Sequence, residues 1–139
     1  MDSESFTALY ENLQKNLEEI KNNTTKKDRY SIEDKIKITE KTKYLFYGLV
    51  KTLVDLGNRI IEENDFRRPL NNADVFICLA EHEIITSNIV PAVKKAVFAL
   101  PQLYGFAYDE FFAIVEECLS DLRKCLDSYA VYYNLKGKK

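Results

Sequence analysis

His82 is the only histidine in the 139-residue chain, and it sits in the run AEHEI between Glu81 and Glu83. An imidazole exchanges protons near neutral pH. A catalytic triad also needs a nucleophile held against it, and a zinc site needs several His or Cys ligands. The neighbouring sequence supplies neither, so His82 reads as a solvated helix residue. The three cysteines, Cys78, Cys118 and Cys125, contain no C-x-x-C pair, which fits reduced thiols buried as small hydrophobes. Cys118 and Cys125 are seven residues apart, about 10 Å along a helix and too far for a disulfide within it. Paired glutamates at 18–19, 62–63 and 116–117 lack a histidine three residues onward, so the Glu-x-x-His pattern of di-metal bundles is absent. The four glycines are scattered at 48, 57, 105 and 137 and build no phosphate loop. No metal or cofactor is expected.

The basic residues with a local grouping are Arg67 and Arg68 beside Pro69, Lys94 and Lys95, the run KKDR at 26–29 and the tail KGKK. A formal charge of −2 gives no global positive field to draw in nucleic acid. Arg67, Arg68, Lys94 and Lys95 are the binding candidates for RNA or a protein partner. The plainer reading of each is solvated surface.

Helices must position these groups. Phe6, Leu9, Leu13, Leu17 and Ile20 recur at steps of three and four, predicting an amphipathic helix over 6–20 capped by Ser3 or Ser5. The polar run NNTTKKDRYS ends it, and Ser31 with Asp34 resembles a capping box that opens a longer helix. That helix carries Ile32, Ile36, Leu45, Phe46, Leu49, Val50, Leu53, Leu56, Ile60 and Ile61. At YLFYGLV it becomes apolar almost all round, a surface needing cover from other helices or a second subunit. Gly48 and Gly57 inside it, each costing about 1 kcal/mol relative to Ala, point to close contact or a kink.

Pro69 breaks the pattern, Asn71 or Asn72 can cap a third helix over about 73–85, and Ser87 or Asn88 a fourth with Pro91 in its first turn. Pro101 stops the fourth. In the last helix Phe111, Val115, Cys118, Leu122, Cys125, Tyr129 and Tyr132 step by four and three, the stripe of a bundle helix. Tyr129, Tyr132 and Tyr133 suit a partly wet interface. The expected fold is all-α, a single domain over 1–139 forming an up-and-down bundle of about five helices. The longest apolar runs are far too short to span a bilayer, and the acidic amino terminus does not read as a secretory signal. A cytoplasmic protein is expected.

From about residue 43 to 126 the chain resembles the HepT-like branch of the HEPN superfamily. The words that carry the resemblance are LVDLGNRIIEEN, RRPLNNADVFICLAEHEII, IVPAVKKAV and YDEFFAIVEECLSDL. Active members of that family are viewed as metal-independent ribonucleases of toxin–antitoxin pairs, using an Arg, a His about five residues on and a nearby Tyr. The His would exchange a proton with the RNA while the Arg stabilises phosphate charge. Here the corresponding run is FALPQLYGFAYDE. The Arg position falls near Leu100 and the His position near Tyr104 or Gly105, with no basic residue between Ala96 and Leu122. Tyr104 and Tyr108 match the family tyrosine only loosely.

The resemblance therefore implies a HepT-like helical protein without the ribonuclease chemistry, acting as a homodimer or as the regulatory or substrate-binding partner of a separate nucleotidyltransferase. The alternative is an active ribonuclease toxin with a non-standard site drawn from Arg67, Arg68, His82 and Tyr108. The dimer expectation rests on two apolar surfaces, one around residues 44–56 and one along the last helix.

Overall fold

Three of the helices begin where local chemistry can satisfy their free N–H groups. In the computed structural model, which describes residues 1–137 with side chains through Asn134, the α-helices are α1 (Ser3–Thr25), α2 (Ile32–Glu63), α3 (Asp74–Glu81), α4 (Val90–Ala99) and α5 (Tyr108–Gly137). No strand occurs among the described residues, and short 3-10 turns at Lys27–Arg29, Ser87–Ile89 and Leu100–Gly105 link the helices. Asp2, not Ser3 or Ser5, caps α1, its carboxylate accepting from the Ser5 N–H at 2.7 Å. A carboxylate one residue earlier competes better because it also complements the helix dipole. Ser31 caps α2 by accepting from the Asp34 N–H at 3.2 Å, and the Asn71 side-chain oxygen accepts from the Asp74 N–H at 2.9 Å. Pro91 lies in the first turn of α4.

Two ends use the same device. After α2, Phe66 N–H bonds to Ile61 C=O and Asp65 N–H to Glu62 C=O, with Asp65 at φ 56°. After α3, Ile84 N–H bonds to Leu79 C=O and Glu83 N–H to Ala80 C=O, with Glu83 at φ 59°. Both are Schellman ends built on a non-glycine left-handed residue. The second makes α3 stop at Glu81, shorter than the apolar spacing over 73–85 implies.

Cross-chain contacts set the order of the bundle. Phe6 stacks on Tyr133, Tyr10 donates to Asp127, and Arg123 pairs with Glu18, so α1 runs antiparallel to α5. Asn23 meets Thr42 while the amino terminus of Met1 pairs with Glu63, so α1 is antiparallel to α2 as well. Phe46 packs edge-on against Phe111, and Tyr129 donates to the Leu53 carbonyl at 2.9 Å, so α2 and α5 run parallel, with α3 and α4 making the return. α2 is continuous through both glycines.

The α5 stripe is core. Phe111, Val115, Cys118, Leu122, Cys125 and Tyr129 are fully buried within the chain, and so is Tyr133, which corrects the expectation of a wet tyrosine end. Tyr132 alone of that trio is partly exposed, and its hydroxyl donates to Glu63 at 3.0 Å. No helix of the described residues is long and apolar enough to cross a membrane.

The two glycines of α2 differ. A Cβ on Gly57 would lie 2.6 Å from Val75 Cγ1 and 2.8 Å from Tyr129 Oη, whereas one on Gly48 would meet nothing within 4 Å. Gly57 is where α2, α3 and α5 touch most closely. Gly57→Ala should therefore lower the unfolding free energy by about 1–3 kcal/mol, read from urea denaturation. An unchanged midpoint would show that the three helices can separate slightly at no cost.

Candidate functional site

The junction between α4 and α5 is shaped by Pro101 and by a cation from elsewhere. Pro101 cannot donate to an α-helical ladder, and the chain continues as the 3-10 turn Leu100–Gly105 before Phe106 turns to extended backbone. The carbonyls exposed by that change face α2. There the ammonium of Lys43 donates to the Phe106 carbonyl at 2.7 Å and the Tyr104 carbonyl at 3.5 Å, and it sits 5.8 Å above the Phe111 ring. Lys43 is 6% exposed and makes no ion pair among the described residues. Carbonyl dipoles and a ring face carry its charge. The junction has no basic residue in its own sequence, yet the fold supplies one, 61 and 63 positions away. Sequence reasoning missed it because nothing local marks Lys43 as buried.

The four junction residues singled out by the family resemblance, Leu100, Tyr104, Gly105 and Tyr108, are not gathered into one pocket. Tyr104 is 61% exposed with its ring centroid 6.5 Å from that of Tyr47. Tyr108 is half-buried, its hydroxyl donating to the Lys27 carbonyl while Lys35 lies 5.1 Å above its ring. Burial, then the nearby Asp28 charge, push the Tyr108 hydroxyl above its usual range, so it stays protonated. Leu100 is half-buried and Gly105 exposed.

Two of the four binding candidates, Arg67 and Lys95, are committed to the protein itself. Arg67 forks onto Asp74, with N–O distances of 2.8 and 3.0 Å, and also bonds to Glu81 at 2.7 to 3.2 Å. This planar guanidinium ties the loop after α2 to both ends of α3. Its hydrogen bonds, with that of the Leu70 N–H, hold the Asp74 carboxyl down at about 2. Lys94, half-buried on α4, adds to the positive field at Asp74. Lys95 pairs with Glu117 of α5, and Lys27 with Glu116 at 2.5 Å. Arg68 lines an open cleft of ≈ 680 Å³ with Asn58, Glu62, Asn71 and Asn72. Lys138 and Lys139 of the KGKK tail lie outside the described residues.

His82 is exposed at the end of α3, its ring stacked flat on Phe66 with centroids 3.6 Å apart. Phe66 bonds to Ile61 of α2, 18 residues beyond Lys43 and so roughly 27 Å along the helix axis. Tyr108 lies beyond Lys43 in the other direction, beside Lys35. Arg67 and His82 are thus at one end of α2 and Tyr108 at the other, with no common cleft. The cysteines are free and buried, and burial raises the Cys118 thiol to about 11 and Cys125 to about 12. Among the described residues no three His, Cys, Asp or Glu side chains gather around a metal position.

What the fold does gather is aromatic surface. Tyr44 is 72% exposed and Phe98 57%, and with Tyr47 they flank two shallow grooves, with Tyr104 beside Tyr47. One, of ≈ 360 Å³, runs between α1 and α2 over Asn12, Asn16, Tyr44 and Gly48. The other, of ≈ 380 Å³, is floored by Val54 and Val97 and edged by Phe98 and Pro101. Tyr47 and Lys51 line both, so the grooves belong to one continuous face. The run YLFYGLV signals such a surface in sequence, but Phe98 and Tyr104 join it only in three dimensions.

No protein-family profile matches this chain, and no curated protein matches it. A solved structure does. A chain in a crystal structure of the toxin–antitoxin pair MntA–HpeT, in a tyrosine-to-alanine variant, superposes with a TM-score of 0.68 over 86% of this chain and 98% of that one, at 17% identity. At that identity the two share their fold.

Lys43→Met keeps the aliphatic stem and removes the donor. It should cost about 1–3 kcal/mol of stability and accelerate amide hydrogen exchange selectively in residues 103–108. Unchanged exchange there would show that the junction carbonyls do not depend on the ammonium.

Proposed function

We propose that this chain is a HepT-like helical protein that acts by binding protein, as a dimeric regulatory component of the toxin–antitoxin type, and that it does not cleave RNA. The observation that carries this reading is the chemistry of the α4–α5 junction. Its exposed large side chains are Tyr104 and, at the end of α4, Phe98, and Lys43, the cation that reaches its carbonyls, is buried against them. Metal-independent RNA cleavage needs a group that takes the 2′-hydroxyl proton and another that stabilises phosphate charge. A phenol is neither a ready base nor a cation and fits neither role, and the Lys43 ammonium is buried against the Phe106 and Tyr104 carbonyls. Exposed aromatic rings beside shallow, mainly apolar grooves are instead the composition of protein interfaces.

The shared fold with a chain of a toxin–antitoxin pair supports a protein partner. A nucleotidyltransferase is the partner class that the family resemblance implies. RNA is the less favoured ligand, because Arg67 and Lys95 are held in ion pairs and the chain is net acidic.

Purified protein freed of metal by a chelator should leave RNA at background, with His82→Ala indistinguishable from wild type and an active relative cleaving in parallel. Cleavage by the wild type that disappears in His82→Ala would contradict the proposal.

A further inference from the structure

Arg67 and Arg68 are neighbours with opposite surroundings. Arg67 is committed to Asp74 and Glu81, whereas the Arg68 side chain makes no ion pair or hydrogen bond among the described residues. Candidate partners are close by, because Glu62 and Asp65 line the same open cleft of ≈ 680 Å³. Neither of those carboxylates pairs with a cation among the described residues either. Opposite charges therefore share one cleft without meeting across it.

The two sides of the cleft come from different segments. Asn58 and Glu62, one turn apart, stand on the last turns of α2, and Asp65 follows at its end. Arg68, Asn71 and Asn72 belong to the loop that leads into α3. The Asn71 side-chain oxygen is occupied by the Asp74 N–H, but the amides of Asn58 and Asn72 make no hydrogen bond among the described residues. Each of those amides offers a donor and an acceptor together. Ile61 and Val75, both buried, add an apolar lining.

An anion alone would meet two carboxylates here, and a cation alone would meet Arg68. A molecule that carries both an ammonium and a carboxylate satisfies both signs, with charge-assisted hydrogen bonds at each end. We propose that this cleft binds a small zwitterion of the amino-acid or short-peptide class, its carboxylate on Arg68 and its ammonium on Glu62 and Asp65. The amides of Asn58 and Asn72 match the peptide groups between those ends, and Ile61 and Val75 receive an aliphatic side chain. The volume falls in the range of small-molecule sites. Asn58 lies 11 residues beyond Tyr47, roughly 16 Å along α2, so this ligand and a protein on the aromatic face occupy separate surfaces.

An amide-shift titration of the full chain with glycyl-leucyl-glycine carrying free termini tests this. Saturable shifts should appear in residues 58–75, and N-acetylation or C-terminal amidation of the peptide should each weaken binding about tenfold. Arg68→Gln should bind the free peptide about tenfold more weakly yet bind the amidated one as the wild type does. Glu62→Gln/Asp65→Asn should show the same pattern toward the acetylated peptide, a selectivity that misfolding cannot produce. No saturable response at millimolar peptide, equal binding of the blocked and free peptides, or an equal response to inorganic phosphate would overturn the site.

Discussion

Helix α2 is the element against which the others are arranged. It is antiparallel to α1 and parallel to α5, it receives α3 at Gly57, and through Lys43 it holds the turn that follows α4. This helix of 32 residues, about 48 Å long, is longer than each of the four others, and they leave one of its sides uncovered. Phe46, Leu49, Val50, Leu53 and Ile60 face inward and are fully buried. The side left over is the one that carries Tyr44, Tyr47 and Gly48. Covering the inner side fixes the core, and the shortage of cover on the outer side creates the surface available for binding.

The distribution of cations follows the same economy of position. Lys43 closes a junction, Arg67 staples the loop before α3 to its two carboxylates, and Lys27 and Lys95 brace α5 through Glu116 and Glu117. Lys43, Lys27 and Lys95 join segments distant in sequence, whereas Arg67 ties a loop to the helix that follows it. Exposed pairs such as Lys95 with Glu117 contribute little singly, but they occupy the charges that a phosphate backbone would have to recruit. What remains accessible near the junction is aromatic and amide surface, suited to another protein.

The helix count, the Ser31 cap, the tolerance of Pro91 and the α5 stripe were legible in sequence because each depends on residues within a few turns of one another. The features that failed to show depend on distance. Nothing local says that Tyr129 donates to Leu53 across 76 residues, so the tyrosines at the end of α5 read as wet when two of them are core. Periodicity equally cannot assign two apolar stripes to core and surface. Packing decides that α5 is enclosed and that α2 keeps an open side. At the candidate site, the absence of any Arg, Lys or His from residues 96–122 is plain in the sequence, whereas Lys43 and the meeting of Tyr47 with Phe98 and Tyr104 required the fold.

An amide chemical-shift map of the full chain, recorded on dilution and again on titration with single-stranded RNA, tests most directly whether this molecule binds protein through that face. The expected result is concentration-dependent shifts confined to residues 36–52 and 98–104, with no response to RNA at moderate salt. A spectrum independent of concentration, with RNA-induced shifts converging on Arg68 and His82, would contradict it.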